Sequence, residues 1–250
     1  MRTLRYIMKI GLFIPCYIDQ FYPQVAVATL ELLERLDCEV IFPLNQTCCG
    51  QPMANSGFAG MAKGCNANFI KNFSAVDYIV SPSGSCVLHV KEHLHDENEE
   101  AALHIRTHIY ELTEFMVDIL NVGNLESHFP HTVGLHVSCH GQRGLHVSSM
   151  SELMEAPFSK PEKLLRMVRG LKIALPERWD ECCGFGGTFC VFEEAVSVKM
   201  GQDRLSEHAA RQVDYITATD VSCLMHLEGI LKRQKSHIQV RHIAEILNAV

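Results

Sequence analysis

The sequence predicts an α/β fold: two similar α/β units from an internal duplication, related by a pseudo-twofold axis, each a small, mainly parallel sheet flanked by helices. Three observations predict it. Short Val/Ile-rich runs alternate with longer helical patterns, blocks of sequence recur in the same order in both halves, and cysteines stand just past the apolar runs at matched places.

The strand runs are 9–14, 38–43 and 76–81, then 132–137, 171–175 and 213–217. Between them, Gln24–Leu36 sets Val25, Ala28, Leu32 and Leu36 at helical spacing. The repeat has four blocks. Lys9-Ile-Gly-Leu-Phe-Ile-Pro-Cys16 matches Val133-Gly-Leu-His-Val-Ser-Cys139, and Cys48-Cys49-Gly50 matches Cys182-Cys183-Gly184. Val76-Asp-Tyr-Ile and Val213-Asp-Tyr-Ile lead to Cys86 and Cys223, with His89 and His226 three residues on. His108-Ile-Tyr-Glu-Leu-Thr-Glu-Phe is set against His242-Ile-Ala-Glu-Ile-Leu. The units are therefore expected at about residues 8–126 and 131–250, joined through the Gly, Asn, Ser and Pro of Gly123–Pro130. The charged stretch His93–Glu100 reads as a solvated loop or helix face.

With 250 residues, 47% apolar and 20% charged, the chain can bury a core. A net charge of −7 without a Lys/Arg run argues against a nucleic-acid partner. No run reaches the ~18 apolar residues of a membrane span. Arg2, Arg5 and Lys9 ahead of Ile10–Pro15 imitate an export signal, but the apolar run is short, no small-residue cleavage site follows, and Pro15 stands before Cys16. A cytoplasmic location is expected. In that compartment 11 cysteines mean metal or catalysis rather than disulfides.

In open parallel sheets ligands gather beyond the carboxyl ends of strands. Cys16, Cys48, Cys49 and Cys86 all follow expected strands, as do Cys139, Cys182, Cys183 and Cys223, so each half brings four thiols to one sheet edge. Such soft donors suit an iron–sulfur cluster. Adjacent cysteines fit mononuclear zinc poorly, and zinc sites favour Cys-x-x-Cys pairs, which this chain lacks. Cys86 and Cys223 read as the first turn of a helix, where a thiolate is stabilised. Asp220 reads as a helix cap or as a hard ligand to one iron. Cys38, Cys65 and Cys190 have no counterpart in the other half and are assigned to packing. Gly184-Phe-Gly-Gly187 could offer backbone N–H groups to cluster sulfides; it lacks the Lys-Ser/Thr ending of a phosphate cradle.

The pattern Cys-x31-Cys-Cys-Gly-x35-Cys, repeated as Cys-x42-Cys-Cys-Gly-x38-Cys, resembles the duplicated cysteine-rich CCG domain found in heterodisulfide reductase and in the glycolate oxidase iron–sulfur subunit. The wording around it, Cys48-Cys-Gly-Gln-Pro with Asn55-Ser-Gly57, Ser83-Gly-Ser-Cys86, Cys182-Cys-Gly-Phe-Gly-Gly-Thr-Phe189, Asp220-Val-Ser-Cys-Leu224 and His242-Ile-Ala-Glu245, is similar to the lactate utilisation protein A family over nearly the whole chain. The resemblance implies an iron–sulfur electron-transfer subunit of a complex oxidising L-lactate, a small 2-hydroxy acid, to pyruvate. It implies a ferredoxin-like iron–sulfur subunit and a third small subunit as partners. Heterodisulfide reductase ends each half in Cys-x-x-Cys; here Ser83 and Asp220 stand at the first position, leaving four thiols per half and pointing to [4Fe–4S], one or two per chain. Zinc in one half, and with it a zinc-binding scaffold subunit, is the alternative. No nicotinamide or flavin fingerprint is present. For a general base the candidates are His140 and His226.

Overall fold

The computed structural model describes residues 8–250; Arg2 and Arg5 of the leader-like segment lie outside them. The first half runs β1 (Lys9–Leu12), α1 (Cys16–Phe21), α2 (Pro23–Arg35), β2 (Glu39–Ile41), α3 (Gln51–Asn55), α4 (Lys63–Phe73), β3 (Tyr78–Ser81), α5 (Gly84–His93), α6 (Glu99–His108), β4 (Ile109–Glu111) and α7 (Leu112–Glu114). The second runs β5 (Thr132–His136), α8 (Lys160–Leu165), β6 (Lys172–Ile173), α9 (Phe189–Phe192), α10 (Glu194–Ala210), β7 (Tyr215–Ala218), α11 (Val221–Gln234), β8 (Gln239–Val240) and α12 (Ile243–Asn248). The sheets have matching orders, β2-β1-β3-β4 and β6-β5-β7-β8, and every pairing is parallel.

Parallel strands are covered on both faces, so each carries two apolar sets that alternate. Ile10, Leu12 and Ile14 of the first sheet and Val133, Leu135 and Val137 of the second turn to one shared core, with Leu32, Leu33, Leu164, Leu165, Ile243 and Leu247 between them. The opposite faces make separate outer cores, one around Phe13, Phe73 and Ile79 and one around Leu205, Ile216 and Leu227. The expected duplication is thus present as two units fused through a common centre.

The closing helices are exchanged. α12, at the end of the second half, packs on α2 of the first, while α7 packs on α8 of the second. The exchange is reciprocal, as a twofold relation requires. Each closing helix opens with a capping box, Glu111 with Glu114 and His242 with Glu245. This corrects the fourth repeat block: Leu112-Thr-Glu114 stands opposite Ile243-Ala-Glu245, three residues from the register in which His108 faces His242. The shared Glu at N3 of the cap, not the shared His-Ile, marks equivalent places.

The edge strands β4 and β8 are absent from the sequence-predicted runs. They span three and two residues, too short for an alternating pattern, and exist because β3 and β7 offer them an edge. Of the charged stretch, residues 94–98 form a loop and Asn98 caps α6.

Candidate metal centre

Every repeated cysteine sits at the carboxyl end of its sheet. Cys16 opens α1 directly after β1, and Cys139 precedes a wide π-type turn, His140–Gly144, after β5. Cys86 and Cys223 lie in the first turns of α5 and α11. Both Cys-Cys-Gly segments are loops whose glycine is left-handed, φ 93° at Gly50 and 90° at Gly184. A side chain there would be strained and blocked: a Cβ on Gly50 would lie 2.9 Å from Ala62 Cβ, and on Gly184 2.6 Å from the Ser197 carbonyl oxygen. The turn points each glycine N–H back at the first cysteine of the pair, Gly50 to Cys48 Sγ at 3.4 Å and Gly184 to Cys182 Sγ at 3.3 Å.

The two sheet edges face each other. All eight repeated cysteines line one cavity of about 650 Å³ between the halves. Cys16 and Cys48 approach to 3.7 Å between sulfurs. Cys48 is drawn down to a pKa of about 2 by hydrogen bonds from the Cys16 and Cys49 thiols and the Gly50 N–H. Cys182 falls to about 2 likewise, through Cys139, Cys183 and Gly184. Their donors Cys16, Cys49, Cys139 and Cys183 are raised, because each gives its proton to a neighbouring sulfur in a buried place. In each half the first cysteine of the pair is thus the one favoured as a thiolate, the form that binds a soft metal, and the neighbouring thiols would release their protons to solvent on binding.

The N-termini of α5 and α11 meet at this cavity, adding two positive helix ends. They are stitched across the pseudo-axis: Gly84 N–H donates to the Thr219 carbonyl at 3.3 Å, and Ser85 N–H to Asp220 Oδ2 at 2.7 Å. The other Asp220 oxygen, Oδ1, accepts from Ser222 Oγ at 2.7 Å and caps α11 through the Ser222 N–H. Both Asp220 oxygens are therefore engaged within the protein.

His140 lines the cavity; its counterpart in the first half is Tyr17, also on the wall. His226 is not on that wall. Its Nε2 lies 3.3 Å from the Ser197 carbonyl and it touches the Cys183 backbone, as His89 touches the Cys49 backbone, so the histidine pair braces the two Cys-Cys-Gly loops. Cys38 is buried in the shared core. Cys65 lies behind Gly50 and Cys190 Sγ donates to the Gly187 carbonyl at 3.0 Å; neither is on the wall.

One asymmetry escaped sequence reading. Gly11 and Gly134 hold equivalent places on the central strands, paired to Ile79 and Ile216. Two residues on stand Phe13 and His136. A Cβ on Gly11 would strike Phe73, and on Gly134 would strike His208; one helical turn earlier stand Phe69 and Arg204. Behind the first thiol set is thus an aromatic cluster, with ring centroids of Phe13–Phe69 at 4.8 Å and Phe69–Phe73 at 4.6 Å. Behind the second are His136, His208 and Arg204, all fully buried. Both nitrogens of each histidine and Nε and Nη2 of Arg204 have no hydrogen-bond partner among the described residues. Each such group costs about 1–3 kcal/mol. Burial holds His136 neutral, its pKa down to about 3. One nitrogen of His136 and the sulfurs of Cys183 and Cys223 lie within 4.8 Å of one another. The readable signal was Phe13 against His136 in the first repeat block.

Residues 10–91 and 133–228 each match the CCG cysteine-rich domain. Lactate utilization protein A of Geobacillus sp. (strain WCH70) is 42% identical over 248 residues, covering 97% of this chain and 100% of the relative. Lactate utilization protein A of Bacillus licheniformis is 40% identical over 247 residues, with 97% and 100% covered. Among solved structures, a hypothetical protein from Helicobacter pylori superposes with a TM-score of 0.58 at 15% identity, covering 96% of this chain and 48% of that one, a likeness of fold. No helix among the described residues is long and apolar enough to cross a membrane.

Proposed function

Because this chain belongs to the lactate utilization protein A family of duplicated cysteine-rich domains, we propose that it serves lactate utilisation as the iron–sulfur electron-transfer subunit of an L-lactate oxidation complex. The observation that carries this is the convergence of eight thiols, four from each half, on one cavity. The donor set fits the group. Four sulfurs from three loops per half, with Cys48 and Cys182 favoured as thiolates by the hydrogen bonds they accept, meet the preference of iron–sulfur clusters for sulfur ligands. Cys16, Cys48, Cys49 and Cys86 would hold one [4Fe–4S] cluster, and Cys139, Cys182, Cys183 and Cys223 a second. Such a cluster supplies one-electron transfer.

The protein's own part is to orient and tune. The Gly50 and Gly184 N–H groups donate to ligand sulfurs, which favours the reduced state. The helix ends at Cys86 and Cys223 act in the same sense. His140 and Tyr17, which occupy matched places on the wall, are the candidates there besides the thiols to move a proton. A cavity open to both halves admits a small 2-hydroxy acid or lets an electron cross between them. Val191 and Phe192, exposed beside the wall, offer apolar surface to the ferredoxin-like iron–sulfur subunit that, with a third small subunit, would complete the complex. Free thiols throughout suit a reducing compartment, the cytoplasm.

Iron and sulfide analysis with EPR on anaerobically purified protein tests this. Wild type should carry iron and sulfide; Cys183→Ser or Cys223→Ser should lower bound iron and stop lactate-dependent electron transfer by the assembled complex, and Cys38→Ser should do neither. Equal iron loss in Cys38→Ser would overturn the ligand assignment. A colourless wild type holding about one zinc per half and no iron would replace the redox role by the zinc-binding scaffold.

A further inference from the structure

We propose that His136 is a nitrogen ligand to the metal of the second half, beside Cys183 and Cys223, so that the two halves hold chemically different centres. The proposal rests on the metal-centre reading above and deepens it.

Three observations converge. His136 reaches within 4.8 Å of both sulfurs through one ring nitrogen, at the end of β5 where Cys183 and Cys223 close over it. It is fully buried, and neither ring nitrogen has a partner among the described residues. A histidine kept for packing ordinarily satisfies at least one nitrogen; this one has no partner among the described residues at either, and one of its nitrogens is on the thiol side. Third, the same position in the first half is Phe13, in tight contact with Phe69 and Phe73. The fold therefore needs only an apolar ring there. A donor atom in the second half answers a need other than packing, and imidazole nitrogen with thiolate sulfur is a ligand set that both iron and zinc accept.

The assignment has a direction built into it. With His136 in place of one of the other two thiolates of the second half, the centre there would carry one negative charge less, and exchange of thiolate for imidazole raises the reduction potential of an iron–sulfur centre. The buried Arg204 cation adds to this on the second side only. With iron in both halves, the second centre would be the more readily reduced of the two.

The test uses the full chain, purified without oxygen, with histidine labelled with ¹⁵N. Pulsed EPR of the reduced protein should show the strong coupling of a directly bound imidazole nitrogen. His136→Phe, which installs the residue the first half already uses, should lose that coupling and about half of the bound metal. If the metal is zinc, X-ray absorption should show a nitrogen at about 2.0 Å in wild type and not in the variant. Metal-loaded wild type without a bound nitrogen, or a nitrogen signal that survives His136→Phe, overturns the assignment. The wild-type measurement decides alone if the variant does not fold. A wild type with no metal removes the metal-centre reading itself, and this proposal with it.

Discussion

At the scale of single residues the centre depends on backbone as much as on sulfur. Gly184 combines φ of 90° with no room for a Cβ, whereas Gly57 has φ of 83° and nothing within 4 Å of where a Cβ would stand. The two separate strain from contact. Gly57→Ala should cost about 1 kcal/mol, the penalty of left-handed backbone, and leave metal binding intact. Gly184→Ala adds a clash with the Ser197 carbonyl and displaces the N–H that points at Cys182, so it should cost more than about 2 kcal/mol and lower the metal content. Urea midpoints with metal analysis of both variants check this. Equal losses in the two would mean that the loop tolerates a side chain and that the N–H contact is incidental.

At the scale of elements the closing helices α7 and α12 give the protein two opposite titrations. Their N-caps, Glu111 and His242, are both fully buried. Burial pushes Glu111 up from 4.5 to about 8, against the hydrogen bonds from Thr113 and Glu114 that favour its charge. Between those values the folded chain holds a proton that the unfolded chain has released, so stability falls as pH rises from 4.5 to 8 and levels off above. Burial pulls His242 down from 6.5 to about 4, with Asp220 opposing. There the unfolded chain holds the extra proton, so stability falls as pH drops from 6.5 towards 4. Glu111→Gln should remove that fall, about 1.4 kcal/mol per pH unit, flattening the curve between pH 6.5 and 8, and below 6.5, where the two titrations oppose each other, it should leave the His242 slope uncompensated and so steeper. His242→Asn, which can still cap, should ease the acid limb alone. Thermal unfolding from pH 4 to 9 reads both slopes; an unchanged slope between pH 6.5 and 8 in Glu111→Gln would show that Glu111 is ionised in the folded protein.

At the scale of the whole molecule the duplicated units, which we place at 8–126 and 131–250, are interdependent. Ile243, Ala244, Ile246 and Leu247 of α12 are fully buried in the core shared with α2. At about 1.5–3 kcal/mol per large apolar side chain, their removal takes away an amount comparable to the whole net stability of a domain. A chain ending at residue 242 should therefore lose cooperative unfolding, although every repeated cysteine remains in it. A fragment of residues 1–126 should fail in the same way, because α2 then lacks its cover. Co-expression of 1–126 with 127–250 should restore the fold, since the exchanged helices can dock between chains. A stable, monomeric 1–126 with a sharp thermal transition would contradict the shared core.

The sequence by itself determined the repeat, the α/β class, the parallel strands of the sheet centres and the set of eight thiols. These are local: strand runs, a cysteine after each and a glycine after each pair are written within a few residues of one another, and duplication writes them twice. Tertiary structure alone decided what depends on contacts far apart in the chain. The edge strands β4 and β8 carry too few residues for a pattern and form only on an existing edge. The exchange of α7 and α12 follows from which buried faces fit, not from their order. That eight thiols share one cavity, that His226 braces a loop while His140 and Tyr17 reach the wall, and that Asp220 bonds across to Ser85 all depend on how the sheets face. The exchange of Phe13, Phe69 and Phe73 for His136, Arg204 and His208 was present in the letters throughout. It became legible once the fold stacked those residues behind the same thiols, because only burial makes a nitrogen without a hydrogen-bond partner costly enough to call for a reason.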